Sequence, residues 1–79
     1  MSPTAFRYGN KRFFFFSREE TRIHIHVVSP DGEAKIWLEP KIEIAKSIGY
    51  SQKAINEVLT IVKENKYDII EKWNQHFSK

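Results

Sequence analysis

Apolar and polar positions alternate most strictly over Arg22 to Val28, where Ile23, Ile25 and Val27 fall on one side and Arg22, His24, His26 and Val28 on the other. A period of two is the signature of a strand with unlike faces. Ser29-Pro30-Asp31-Gly32 then supplies a turn, closed by Asp-Gly. Glu33 to Leu38 resumes the alternation, with Ala34, Ile36 and Leu38 on one face and Glu33, Lys35 and Trp37 on the other. Upstream, Ala5 to Tyr8 reads as a short strand, Gly9-Asn10 as a two-residue hairpin turn and Lys11 to Ser17 as its return strand. Ser17 to Thr21 is polar and reads as a loop. Pro40 interrupts the ladder after Leu38, and Lys41 to Ile48 fits a strand through Ile42 and Ile44 better than a helical turn.

From residue 51 the period changes. Ser51 is an N-cap candidate, and Ile55, Val58, Leu59, Val62, Ile69, Ile70, Trp73 and Phe77 recur at helical spacing. Ala54 stands where a capping box would place Glu or Gln. The stripe skips at Asn65-Lys66, so one long helix from about Gln52 to His76 competes with two, and the single helix is the expectation. Its apolar stripe needs the isoleucine face of the sheet. The expected fold is therefore α+β, an antiparallel meander of about four strands with one face under a C-terminal helix. It forms a single domain over residues 1–79, mainly sheet over 1–50 and helix over 51–79.

This pairing of faces gives the run Phe13 to Phe16 its meaning. Either Phe13 and Phe15 or Phe14 and Phe16 pack under the helix, and the other pair stands beside the histidines. The uncovered face would then carry His24, His26, Lys35, Trp37 and two phenylalanines, which is dense chemistry for an open surface.

Three chemistries compete for that face. Aromatic rings on a sheet can stack bases while nearby Lys and Arg hold phosphates, as in RNA- or DNA-binding sheets. Two histidines at i, i+2 lie about 7 Å apart on one face, a spacing that also suits acid and base in metal-independent RNA cleavage. The same pair is a usable bidentate metal unit, but zinc needs at least three protein ligands and no third one is signalled. The third reading is an interaction surface for another protein, since aromatic-rich faces often mark interfaces. No cofactor is implied.

Composition narrows the setting. The chain has 79 residues, no cysteine and a formal net charge of +3. The first eighteen residues carry Arg7, Lys11, Arg12 and Arg18 with no acid, whereas from residue 51 five lysines face four acids. The basic excess therefore sits on the N-terminal segment, which favours an anionic partner without requiring one. Absence of cysteine excludes disulfides and thiolate metal sites and suits a reducing compartment. No apolar run approaches the roughly 18 residues of a membrane span, and MSPTAFRYGN lacks the apolar region of a signal peptide, so the expected location is the cytoplasm, with no membrane partner. A chain this small with an aromatic surface also leaves a homodimer open.

The segments FRYGNKRFFFFS, HIHV, GEAKIWLEP and EKWNQHF, in that order and spacing, resemble a bacterial family of small proteins catalogued as domain of unknown function 4160. The resemblance runs from Phe6 to Phe77. It departs from the family pattern at Thr21-Arg22-Ile23, where members often carry Pro, and at Ala54, where they often carry Glu. The resemblance implies a component of a small two-gene module of the toxin–antitoxin type, with a cognate small antitoxin-type protein as partner. It carries no established reaction. On matching motif positions it makes Arg7, Tyr8, Arg12, Lys35 and Trp37 the candidate nucleic-acid contacts. His24 and His26 become the candidate acid and base if the protein is a ribonuclease.

Overall fold

The computed structural model describes residues 4–15 and 22–77. Strands β1 (Thr4–Tyr8) and β2 (Lys11–Phe14) pair antiparallel, with Tyr8 opposite Lys11. Gly9 has a φ of 61° while Asn10 keeps a negative φ, the signs of a type II′ turn, whose twist matches that of the flanking strands. Strands β3 (His24–Ser29), β4 (Gly32–Trp37) and β5 (Glu43–Ile48) complete a five-stranded antiparallel sheet in the order β1-β2-β3-β4-β5. Within the segment Lys41 to Ile48, Glu43–Ile48 is thus a strand, with Lys41 and Ile42 preceding it, and the meander has five strands. The expected loop Ser17 to Thr21 and the end of the expected second strand lie outside the described residues.

The fifth strand carries an irregularity that alternation alone does not reveal. Ile36 pairs with Ile44 and Lys35 with Lys46, so Ala45 is an extra residue on β5. Such a bulge flips the phase of the side chains that follow it. Ile44 therefore faces the core beside Ile36, whereas Lys46 and Ile48 face the opposite side of the sheet beside Lys35 and Glu33.

Close backbone packing seats the last strand against the β3–β4 turn. A Cβ on Gly32 would fall inside the carbonyl oxygen of Ile48, and one on Gly49 would lie 2.6 Å from the Asp31 carbonyl oxygen. Gly49 also holds a φ of 91°, which side-chain-bearing residues rarely adopt. Across this junction the Ser29 and Tyr50 hydroxyls lie 2.8 Å apart.

The C-terminal half folds as two helices and not as the single one expected. Helix α1 spans Gln52–Glu64 and helix α2 Lys66–Phe77. Ser51 caps α1 by accepting from the Ala54 N–H at 3.1 Å. Asn65 breaks the run at φ −114° and ψ 16°. Its N–H is shared between the carbonyls of Ile61 (3.1 Å) and Val62 (3.2 Å), and its side-chain amide donates to Ile61 at 2.8 Å. Asparagine competes in this way with regular helical bonding, which is why it suits helix ends. Its own carbonyl then accepts from Ile69 at 2.9 Å, so the same residue ends one helix and opens the next.

Both helices lie on one face of the sheet. The core joins Phe13, Phe15, Ile25, Val27, Ala34, Ile36 and Leu38 from the sheet side to Ile55, Val58, Ile61, Val62, Ile69 and Trp73 from the helices. This settles the phenylalanine question for three of the four residues. Phe13 and Phe15 point under the helices, Phe14 points away, and Phe16 lies outside the described residues. Phe6 stacks on Phe13 with ring centroids 4.5 Å apart, and Phe15 meets Trp73 edge-on at 5.6 Å. Lys72 of α2 reaches the Ala5 carbonyl at 2.9 Å and ties the helix to the bulged outer strand β1.

Candidate functional site

Antiparallel register sorts the outer face into rows of cross-strand neighbours, each row sharing one side of the sheet. One row runs Phe14, His26, Lys35 and Lys46 from β2 to β5. A second holds His24, Trp37 and Glu43, and a third Arg7, Arg12, Val28, Glu33 and Ile48. All but His24, which Trp73 of α2 meets, stand on the side opposite the helices.

On this face the cations lie over the rings. The Arg12 guanidinium sits 4.7 Å from the Phe14 centroid, and its Nε donates to the Thr4 hydroxyl at 2.7 Å. The Phe14 ring in turn stacks on His26 at 5.4 Å. Trp37 carries two cations, the Arg22 guanidinium at 4.2 Å and the Lys35 ammonium at 4.5 Å. Arg22 is held by donation from Nε to the Glu39 carbonyl at 2.7 Å and by Glu43, 3.7 Å from its terminal nitrogen. Exposed cation–ring contacts are worth about 0.5–1 kcal/mol each. Their larger effect here is to hold the guanidinium groups over rings of the sheet. A shallow groove of about 350 Å³ between Phe14, His26, Glu33, Lys35 and Lys46 runs along the first row.

The two histidines are neighbours with different access. Their ring centroids are 5.1 Å apart, yet His24 is 0% exposed and His26 half-buried. Nδ1 of His24 lies 2.7 Å from the Arg22 carbonyl oxygen. A carbonyl can only accept, so Nδ1 carries the proton, and in the neutral ring Nε2 is the acceptor. The His24 imidazole is enclosed by Trp37 at 5.2 Å on the sheet side and by Trp73 of α2 at 5.1 Å. It therefore joins the outer face to the helical layer at the start of β3.

Of the residues singled out from the sequence, Arg7, Arg12, His26, Lys35 and Trp37 share the outer face, and His24 lies beneath them. Tyr8 does not join them. It pairs with Lys11 on the helix side and lines a separate cleft of about 770 Å³ against Lys53, Asn56 and Glu57 of α1. The two-residue hairpin already implies this, because Arg7 opposite Arg12 puts Tyr8 on the other side. Two residues were missed. Arg22 was visible in the outward phase of the third strand, whereas the bulge at Ala45 hid Lys46.

Among the described residues no group of three or more His, Asp or Glu is placed to hold a metal ion. His76 packs instead against Phe77 at 4.4 Å on α2. No helix among the described residues is long and apolar enough to cross a membrane.

A five-stranded antiparallel meander, with two helices on one face and a cation-dressed aromatic surface on the other, defines a small α+β domain. The family model described as Domain of unknown function (DUF4160) matches residues 11–74, and the chain belongs to that family. The matched span includes Arg12, Arg22, His24, His26, Lys35, Trp37 and Lys46, and begins after Arg7 and Tyr8. No curated protein and no solved structure matches the chain.

Proposed function

We propose that this protein binds nucleic acid, RNA or DNA, through the outer face of its sheet, as a component of a bacterial toxin–antitoxin-type module. The observation that carries this reading is the pair of guanidiniums laid over rings on one face, Arg12 on Phe14 and Arg22 on Trp37. A guanidinium held flat offers a plane on which a base can stack and a charge for the adjoining phosphate. Arg7, Arg12 and Lys35 neutralise phosphate in this reading, Trp37 and Phe14 back the cations and touch bases, and His26 hydrogen-bonds the ligand. His24 is a positioning residue. We assign binding and not cleavage, because an acid or base must come within hydrogen-bond reach of the proton it moves and His24 is buried.

Fluorescence anisotropy with short single-stranded oligonucleotides at low salt tests this directly. Arg22→Ala should weaken binding about tenfold, the cost of one charge-assisted contact, whereas Tyr8→Ala on the opposite face should leave it unchanged. Expression of the chain alone in a bacterium should arrest growth, and Arg22→Ala should relieve the arrest. Absence of any affinity would overturn the reading. One observation favours a second reading, a docking module for a cognate small protein. Strand β5 is an edge strand with Ile48 50% exposed, and such an edge can accept an added strand. Co-purification of a partner that is lost on Ile48→Lys would support it.

A further inference from the structure

The row Phe14, His26, Lys35, Lys46 contains an arrangement that packing does not require. Lys35 and Lys46 are direct cross-strand neighbours, and like charges so placed destabilise a sheet. Lys46 is exposed, so no burial compensates for its position. It reaches this face only because Ala45 is bulged out. In a regular strand it would share the side of Ile44. An extra residue therefore brings a second ammonium to the end of a row whose other end is a stacked Phe14–His26 pair.

Resting on the reading of the outer face given above, we propose that this row is a one-nucleotide subsite for single-stranded nucleic acid. The base lies at the Phe14–His26 end and the phosphate between Lys35 and Lys46. Neighbouring strands are about 4.8 Å apart, so the midpoint of the two lysines stands about 7 Å from His26, a distance one nucleotide spans from base to phosphate. The groove along the row, about 350 Å³, lies at the small end of ligand sites of about 300–1,000 Å³. It has room for one splayed nucleotide and none for a duplex, whose paired bases cannot lie flat on a sheet. Glu33 also lines the groove, but its register partners are Val28 and Ile48, one row away from the two lysines. The acid flanks the phosphate position without occupying it, and it disfavours a more highly charged free phosphate. The polynucleotide consequently crosses the strands from β2 toward the β5 edge.

The test is anisotropy of the full chain with a labelled oligouridine, its duplex with oligoadenine, and uridine monophosphate as competitor, over a range of salt. Lys46→Gln should lower affinity for the single strand about three- to tenfold and reduce the slope of log K against log salt by about 0.7, the share of one single-strand phosphate. Lys63→Gln, on the exposed side of α1, should change neither quantity. An unchanged slope with Lys46→Gln, duplex binding as tight as single-strand binding, or displacement by equimolar uridine monophosphate would each overturn the subsite. Each would leave the broader nucleic-acid reading standing. Loss of all oligonucleotide binding in the unaltered protein would instead remove both.

Discussion

His24 offers the sharpest separation between a residue that builds the site and one that meets a ligand. Its imidazole is fully buried, donates from Nδ1 to the Arg22 carbonyl, and fills the space between Trp37 and Trp73. Truncation to Ala removes a ring slightly smaller than that of Phe, for which burial and cavity effects together cost about 3–5 kcal/mol. It also removes one hydrogen bond, worth about 1 kcal/mol. Allowing for partial collapse around the smaller ring, His24→Ala should cost about 2–4 kcal/mol. A domain of this size loses roughly 4–8 °C of Tm per kcal/mol, so the fall should be at least about 8 °C. His26→Ala, at a half-buried position, should cost about 1 kcal/mol or less. Thermal and urea unfolding of both variants supply the comparison. Because His24→Ala can approach the whole stability of a small domain, His24→Gln serves as a second variant. Its amide keeps a donor for the Arg22 carbonyl and should recover part of the loss. If His24→Ala proved no more destabilising than His26→Ala, the enclosed imidazole would not be a structural link. The distinction also bears on growth assays. Relief of arrest by His24→Ala reports loss of the folded protein, whereas relief by His26→Ala with an unchanged Tm reports loss of a contact.

Two further predictions concern the frame that holds the face. Gly49→Ala should cost about 1–3 kcal/mol, because φ 91° is strained for alanine and the added Cβ meets the Asp31 carbonyl oxygen; chemical denaturation measures it, and a loss under 0.5 kcal/mol would contradict the geometry. Deleting Ala45 should leave the fold intact to within about 1 kcal/mol, since every other β4–β5 pair keeps its partner, but the straightened edge should self-associate more readily in gel filtration.

Much of this frame was legible because each feature rested on a short-range rule. Alternation over Arg22 to Val28 and Glu33 to Leu38 separated the two faces of β3 and β4, Pro30-Asp31 set the hairpin between them, and Gly9-Asn10 set that of β1 and β2. The skip at Asn65-Lys66 marked the place where the helix divides, yet a stripe of apolar residues cannot say whether the backbone bends there or restarts. That depended on where the Asn65 amide bonded. The candidate site was legible only as a set of residues sharing a side. Strand phase says which way His24 points but not what arrives to cover it, and Trp73 comes from nearly fifty positions downstream.

The bulge at Ala45 shows most clearly how local patterning and function part company. Read as a regular strand, Glu43 to Ile48 sends Ile44 and Lys46 to one side and so sets a lysine against the core. One extra residue resolves it, keeping Ile44 inward and delivering Lys46 outward beside Lys35. The same insertion roughens an edge that would otherwise be a template for uncontrolled pairing. A sequence optimised only for stability could have removed both the bulge and the lysine pair, for instance with a regular strand and a neutral residue opposite Lys35. A phosphate at the proposed position would account for its carrying both. The three described phenylalanines of the run then divide the labour of the two faces, with Phe13 and Phe15 anchoring the sheet to its helices and Phe14 marking the opposite end of the row that Lys46 completes.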